Sequence, residues 1–325
     1  MESDCRRDTI AGSRDGAGCR MRRPTGRRSF RKGIIPYTLL APAVAGLLLF
    51  SLYPFLSGIW LSFTSIGWVG DQASFAGLAN YRTLFSGEVG AGKFFQDAAL
   101  RSVFWTVSVV TGQLAMALLT ALVLNERFPG RILFRTAILA PIAVPTVILA
   151  LTWQWMYDPF YGLINHYLRL LGLISGPTVW ILQPNSSLWP LIVVGIWLGF
   201  PFMSLMLLSG MQGIPQELYE AAKVDGASQF QRFRDITLPQ LRTVIAIAVM
   251  LHTLWWWNHF DILMIIGSGS GQFGYGTMTL PILAWFEAFR WSHLARGAAI
   301  SVVSMAILAA VMIWNARREL RPVTG

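Results

Sequence analysis

The chain has 325 residues, of which 54% are hydrophobic and only 13% charged, and its formal net charge is +10. Soluble domains carry roughly 25% charged residues, so too little charge is present to coat a water-soluble fold of this length. Nucleic acid is not indicated either: ten of the 26 Lys and Arg lie between Arg6 and Lys32, ahead of the first apolar run, where basic residues orient membrane helices and meet anionic lipid.

Residues 1–33 read as a basic, disordered cytoplasmic tail rich in Arg, Gly and Ser. Cys5 and Cys19 are its two cysteines and the chain's only ones; neither a disulfide framework nor a lipidation motif surrounds them. No small-residue cleavage site follows the first apolar run, so that run is expected to stay as a helix and not to leave as a signal peptide. Met21 is an alternative start.

Six apolar runs follow, at 37–62, 103–124, 137–155, 188–211, 243–266 and 298–314. Each is close to the ~20 residues that cross the hydrocarbon core as a helix. Pro141 and Pro145 interrupt the third run and Pro201 the fourth; neighbouring helices can re-satisfy the freed carbonyls, so kinked helices are expected there and not loops. With the first residue inside, the cytoplasmic segments hold 20 of the Lys and Arg and the outer segments six. The positive-inside rule then puts both termini in the cytoplasm. The reading is all-α: a polytopic membrane helix bundle of six transmembrane helices. In the outer segments, 161–173 is expected to form a short interfacial helix.

Two glycine patterns imitate nucleotide sites. Gly87 to Lys93 has phosphate-loop spacing, but Phe94 stands where a magnesium-binding Ser or Thr belongs. Gly269 to Gly274 matches a dinucleotide fingerprint in letters only, without a βαβ unit around it. His166, His252, His259 and His293 have no metal-ligand spacing. Nothing in the chain argues for an enzyme, a metal or a cofactor of its own.

The cytoplasmic loop 212–242 is more informative. Pro215 suits a first helical turn, Glu217 and Glu220 favour its positive end, and Gly226 permits the left-handed turn that ends it. A second helix is expected from Ala227 to Phe233, with Pro239 at re-entry to the fifth run. The small residues Ala221, Ala222, Ala227 and Ser228 would let another protein approach closely. From these features alone an ordinary amphipathic loop also remains open.

Glu220-Ala221-Ala222, then Gly226, then Ile236-x-Leu238-Pro239 resembles the complete EAA signature of ATP-binding-cassette (ABC) importer permeases of type I. Further stretches resemble the maltose-type sugar permeases of that family: Phe75 to Tyr81, Tyr161 to Asn165, Pro201 to Met203 with Leu207 to Gly210, Phe260 to Ile262, and Gly297 to Ser301. The resemblance covers about 34–315 and departs after the fifth run, where Gly267 to Gly271 replaces a Thr-x-Gly-Gly-Pro stretch.

The resemblance implies a division of the chain. Residues 34–98 would hold the first transmembrane helix and an outer segment, 99–316 the permease core with its coupling loop 213–242, and 317–325 a cytoplasmic end. Glu220, Ala221, Ala222, Gly226, Ala227, Ser228, Phe230, Leu238 and Pro239 would couple to a separate ATPase. The implied partners are a second permease subunit, two ATPase subunits that carry the ATP and magnesium, an extracytoplasmic sugar-binding protein, and membrane lipid. The implied place is a bacterial inner membrane, and the implied cargo a disaccharide or oligosaccharide of trehalose or maltose type, or glycerol phosphate.

Ionisable residues inside spans are costly and point to function. Asp261 stands three residues from Asn258 and so on the same helical face, with the run Trp255-Trp256-Trp257 just below. Hydroxyls suit Asp and Asn, and sugar CH faces suit aromatic rings. Gln113, Trp197 and Ser204 are further candidates for the substrate pathway; a helix cap or an interfacial anchor is the other role open to Asp261 and the tryptophans. A proton-coupled secondary carrier is the alternative function, but no clear inverted repeat or acidic relay accompanies it. The charge bias predicts that reporter fusions at Asn80, Asn185 and Gly271 score as external and those at Pro129 and Ser228 as internal. The reverse pattern at two or more sites would overturn that topology.

Overall fold

The computed structural model describes residues 37, 39–68, 70–87, 91–126, 128–180, 187–268 and 275–319. The expectations for the basic tail, Cys5, Cys19, Met21, the Gly269 to Gly274 stretch and Asn185 fall outside these residues. The chain divides into two compact units, up to Leu56 and from Ser57 onward. What is described of the first is helical, part of the apolar helix α1, Leu39–Ser62. A π-turn at Leu48–Leu52 lies between its two prolines, Pro42 and Pro54.

The second unit is helical almost throughout; its strand-like feature among the described residues is one antiparallel bridge, Thr64 to Phe75. After α2, Ala79–Ser86, the chain enters α3, Ala91–Asn125. This 35-residue helix begins about three turns before the apolar run that announced it. It packs most extensively against α7, Trp189–Gln212. The contact is close because α7 is bare where α3 approaches. A Cβ on Gly195 would reach 3.1 Å from Val109, and one on Gly199 would overlap the Gln113 carboxamide. From the other side, a Cβ on Gly112 of α3 would overlap Ile196. Pro201 is absorbed inside α7, as expected for a membrane helix with packed neighbours.

The third run departs from expectation. It is not one kinked helix but two pieces, α4 (Arg131–Ile138) and α5 (Thr146–Met156), with a single turn at Ala140–Ala143 between them. Proline disfavours the helical conformation of the residue before it, and Val144 is accordingly extended at φ −88°, ψ 128° before Pro145. At 11 residues α5 is about 16 Å long, roughly half the hydrocarbon thickness. Among the described residues five other helices are long and apolar enough to cross a membrane: α1, most of α3, α7, α9 (Gln229–Trp257) and most of α12 (Leu294–Glu319).

The fifth run is also divided. α9 stops at Trp257, Asn258 leaves the helix at φ −92°, ψ 5°, and α10 restarts at Asp261–Gly267. The two shortened helices lie together, α10 packing on α5. Beyond them α11, Leu280–Trp285, runs into a π-helical turn, Phe286–Arg290, and packs on α12 and α3. The first amides of α12, which lack helical partners, donate to a distant loop: Leu294 N to Gly67 O at 2.9 Å and Ala295 N to Ile66 O at 3.2 Å.

In the outer segment, α6 (Leu163–Leu170) is held by Asn165, whose Nδ2 donates to the Tyr157, Asp158 and Thr178 carbonyls. Leu163, Tyr167 and Leu170 form an exposed stripe along it.

Candidate functional site: a capped loop joined to a divided helix

The loop after α7 forms two helices with a tight corner. α8, Gln216–Val224, starts behind Pro215 and carries Glu217 in its first turn. It ends in a Schellman closure: Ala227 N donates to Ala222 O at 2.9 Å and Gly226 N to Lys223 O at 3.1 Å. That closure needs a left-handed residue, and Gly226 supplies it at φ +77°. Ser228 then opens α9 with a capping box. Its amide donates to Gln231 Oε1 at 2.7 Å, and Gln231 N donates to Ser228 Oγ at 3.3 Å. Ser228 was singled out in the sequence as a small residue of the coupling loop; the Ser-x-x-Gln spacing was the signal for its capping role.

From this cap α9 runs as one helix into the membrane, taking a π-turn at Phe233–Thr237 and carrying Pro239 near its resumption. The second helix expected to start within Ala227 to Phe233 does start there, and it continues without a break into the fifth apolar run. Tyr219 of α8 is tied to Thr237 by a 2.8 Å hydroxyl contact, fixing the corner's angle. The outer surface of the corner is exposed: Glu220, Ala221, Gly226, Ser228, Leu238 and Pro239 all face out, while Ala222 and Ala227 are half-buried. Two apolar side chains protrude there, Val224 at 89% exposure and Phe230 at 69%. Beside them Arg234 Nε donates to Asp235 Oδ1 at 2.7 Å, and this bond holds the exposed Asp235 carboxyl below its ordinary range.

At its other end α9 reaches the residues considered for substrate, and the structure separates them. Asn258 and Asp261 are exposed, but the break between α9 and α10 means they do not share one helical face. Asn258 Nδ2 folds back onto Leu254 O at 3.0 Å, and Asp261 opens α10, where its negative charge suits the helix's positive end. Trp197 on α7 is exposed and stacks edge-on with Trp153 at 5.6 Å between ring centres. Trp256, Trp257, Gln113 and Ser204 lie in the packed interior. The Trp256 carbonyl accepts from Trp105 Nε1 at 3.0 Å, and Trp257 Nε1 donates to Ser304 Oγ on α12 at 2.9 Å.

Phe202, noted in the sequence only within the stretch Pro201 to Met203, and Trp255, noted only in its tryptophan run, are exposed neighbours on α7 and α9 with ring centres 5.6 Å apart. Trp197 and Phe202 stand five residues apart on α7, about 140° round the helix, so their spacing marks no common face. Among the described residues no group of three His, Cys, Asp or Glu is arranged to hold a metal ion.

Helices long and apolar enough to cross a membrane, with an exposed capped corner between two of them, suit a membrane transport subunit. The chain belongs to the family described as binding-protein-dependent transport system inner membrane component, whose model matches residues 113–321. It is a multi-pass membrane permease of the ABC importer class. Among curated relatives it is 36% identical, over 87% of its length and 93% of the relative's, to the trehalose/maltose transport system permease protein MalF of Thermococcus litoralis. It is 34% identical to the sulfoquinovosyl glycerol transport system permease protein SmoG of Agrobacterium fabrum, covering 84% and 86% of the two chains. The trehalose transport system permease protein SugA of Mycobacterium tuberculosis is 30% identical, covering 85% and 86%. The fold matches a chain of a solved bacterial ABC transporter involved in alginate import, with a TM-score of 0.74 at 21% identity, covering 91% of this chain and 99% of that one.

The buried position of Trp257 sets an expectation. Trp257→Ala removes a large interior ring and its bond to Ser304, at about 3–5 kcal/mol by analogy with soluble cores. Thermal unfolding in detergent should come earlier and less protein should be recovered. A normal unfolding temperature would show that Trp257 is not part of the packed interior.

Proposed function

We propose that this chain is one half of a heterodimeric sugar-import permease in a bacterial cell membrane, driven by a separate ATPase. Its working assembly contains a second permease, two ATPase subunits that bind the ATP and magnesium, and an extracytoplasmic binding protein that hands over the sugar. Six crossings, counting the interrupted third run as one, keep both termini in the cytoplasm. The cargo class is a disaccharide, oligosaccharide or glycoside of the kind named for the relatives.

The observation that carries the coupling role is the corner at Gly226. Its two apolar protrusions, Val224 and Phe230, lie exposed beside small residues, and apolar side chains so exposed on a charged cytoplasmic surface favour a protein partner. The Schellman closure, the capping box and the bond from Tyr219 to Thr237 make the corner rigid. A rigid corner transmits a push; a floppy one absorbs it. Glu220 is the charge partner for the ATPase, and Ala227 to Phe233 the docking surface.

On the substrate side, Asp261 and Asn258 at the break offer polar contacts, and Trp197, Phe202 and Trp255 offer ring faces. Trp256, Trp257, Gln113 and Ser204 support this surface from within.

Gly226→Pro should abolish transport while the chain still inserts, since proline cannot take positive φ, and Glu220→Lys should weaken ATPase association. Wild-type transport rates in both variants would remove the loop from the coupling path. For the substrate side, Asp261→Asn should raise the half-saturation concentration of import in reconstituted vesicles by about tenfold to a hundredfold, the loss of one charged hydrogen bond. An unchanged value with less intact complex recovered would assign Asp261 to structure alone.

A further inference from the structure

Gln113 on α3 and His252 on α9 are both fully buried, and their side chains meet at 2.6 Å between Oε1 and Nδ1. Gln113 Nε2 also donates to the Gly195 carbonyl of α7 at 2.8 Å. The proton positions follow from chemistry. A carbonyl only accepts, so the amide nitrogen faces Gly195 and the amide oxygen faces the imidazole. His252 Nδ1 must then carry the proton and donate it. The far nitrogen, Nε2, is buried without a hydrogen-bond partner, which a neutral ring tolerates far better than a charged one. One carboxamide thus joins three helices.

Packing alone does not require this arrangement. Apolar side chains would fill the same space, and a polar group inside the membrane is costly unless it is satisfied. Space has nevertheless been cleared for it: Gly199 presents a bare face to the Gln113 carboxamide, which any side chain there would displace. The ring of His252 is further held by Phe202, stacked at 6.0 Å, and by Trp255, edge-on at 6.0 Å.

The position along α9 is what gives the pair a role. α9 is continuous from Gln229 to Trp257, so His252 lies about 36 Å from Ser228 at 1.5 Å per residue. Beyond it the helix ends within five residues, at the break that carries Asn258 and Asp261. A rod docked at one end and broken at the other needs a fixed point between them. Van der Waals contacts slide, whereas a directional hydrogen bond resists sliding while permitting rotation about itself.

We propose that the hydrogen bond between Gln113 and His252 is the pivot on which α9 turns against the α3 and α7 pair. His252 is then a positioning residue for transport, converting displacement at the Ser228 end into displacement at the Asn258 to Asp261 break. This rests on the coupling role proposed above for loop 213–242.

The test compares His252→Leu, Gln113→Leu and His252→Asn in the complete transporter, reconstituted in vesicles with trehalose, maltose and glycerol phosphate as probes. The Nδ2 of an asparagine occupies the place of the imidazole Nδ1 and can donate to the same oxygen. The reading is the number of sugar molecules imported per ATP hydrolysed, normalised to intact complex. Either leucine variant should lower this ratio by about five- to tenfold, on the scale of one interhelical hydrogen bond, and His252→Asn should restore it to within about twofold. A wild-type ratio in the leucine variants overturns the pivot, as does an asparagine variant as impaired as leucine. Failure of both leucine variants to assemble assigns the pair to folding and overturns it too. A wild-type complex that hydrolyses ATP but imports none of the probes contradicts the functional reading underneath.

Discussion

The close approach of α3 to α7 is the contact on which the rest of the bundle is hung. Without water between helices, membrane spans associate through van der Waals packing and interhelical hydrogen bonds, and small residues let the backbones come close. Gly112, Gly195 and Gly199 supply those small residues. Where the two helices meet, Gln113 reaches the Gly195 carbonyl, and from there it reaches His252. A side chain at Gly199 would push α7 outward and with it Trp197 and Phe202. The third member, α9, is positioned on this pair, and near its end the Trp256 carbonyl accepts a hydrogen bond from Trp105.

That arrangement gives the two halves of α9 different tasks. Its N-terminal end is clamped by short-range devices, the capping box of Ser228 and the hydroxyl contact from Tyr219. Its far end stops at Trp257 and the chain restarts in α10 against α5, itself shortened by Pro145. Both interruptions leave non-helical backbone within apolar runs, which a membrane tolerates only where protein or a water-filled cavity satisfies it.

Much of this was legible in the sequence, and the misses have physical causes. The spans were readable because a 20-residue apolar run has no soluble alternative, and the corner at Gly226 because helix-ending chemistry is local. The breaks at Val144 and Asn258 were not readable. Proline in a membrane helix kinks or breaks according to whether neighbours replace the lost bond: Pro201 sits unbroken in α7 while Pro145 ends a helix. Asn258 carries only the weak stop signal of an asparagine after an apolar run, and without contrast around it. The contact between Gln113 and His252 spans 139 residues of sequence, and no local pattern records it. The spacing Gly195-x-x-x-Gly199 did mark the α3–α7 contact face, as a small-residue motif that the hydrophobic reading of the run overlooked.

The central claim is that the chain moves sugar only as part of a larger machine whose energy enters through a separate ATPase. It is tested most directly by reconstituting the purified chain in vesicles, alone and then with its second permease, ATPase and binding protein, and following trehalose or maltose uptake and ATP hydrolysis together. The account predicts no hydrolysis and no accumulation by the chain alone, and ATP-dependent uptake that appears only when every partner is present. Sugar accumulation by the chain alone under a proton gradient, or ATP hydrolysis without partners, would contradict it.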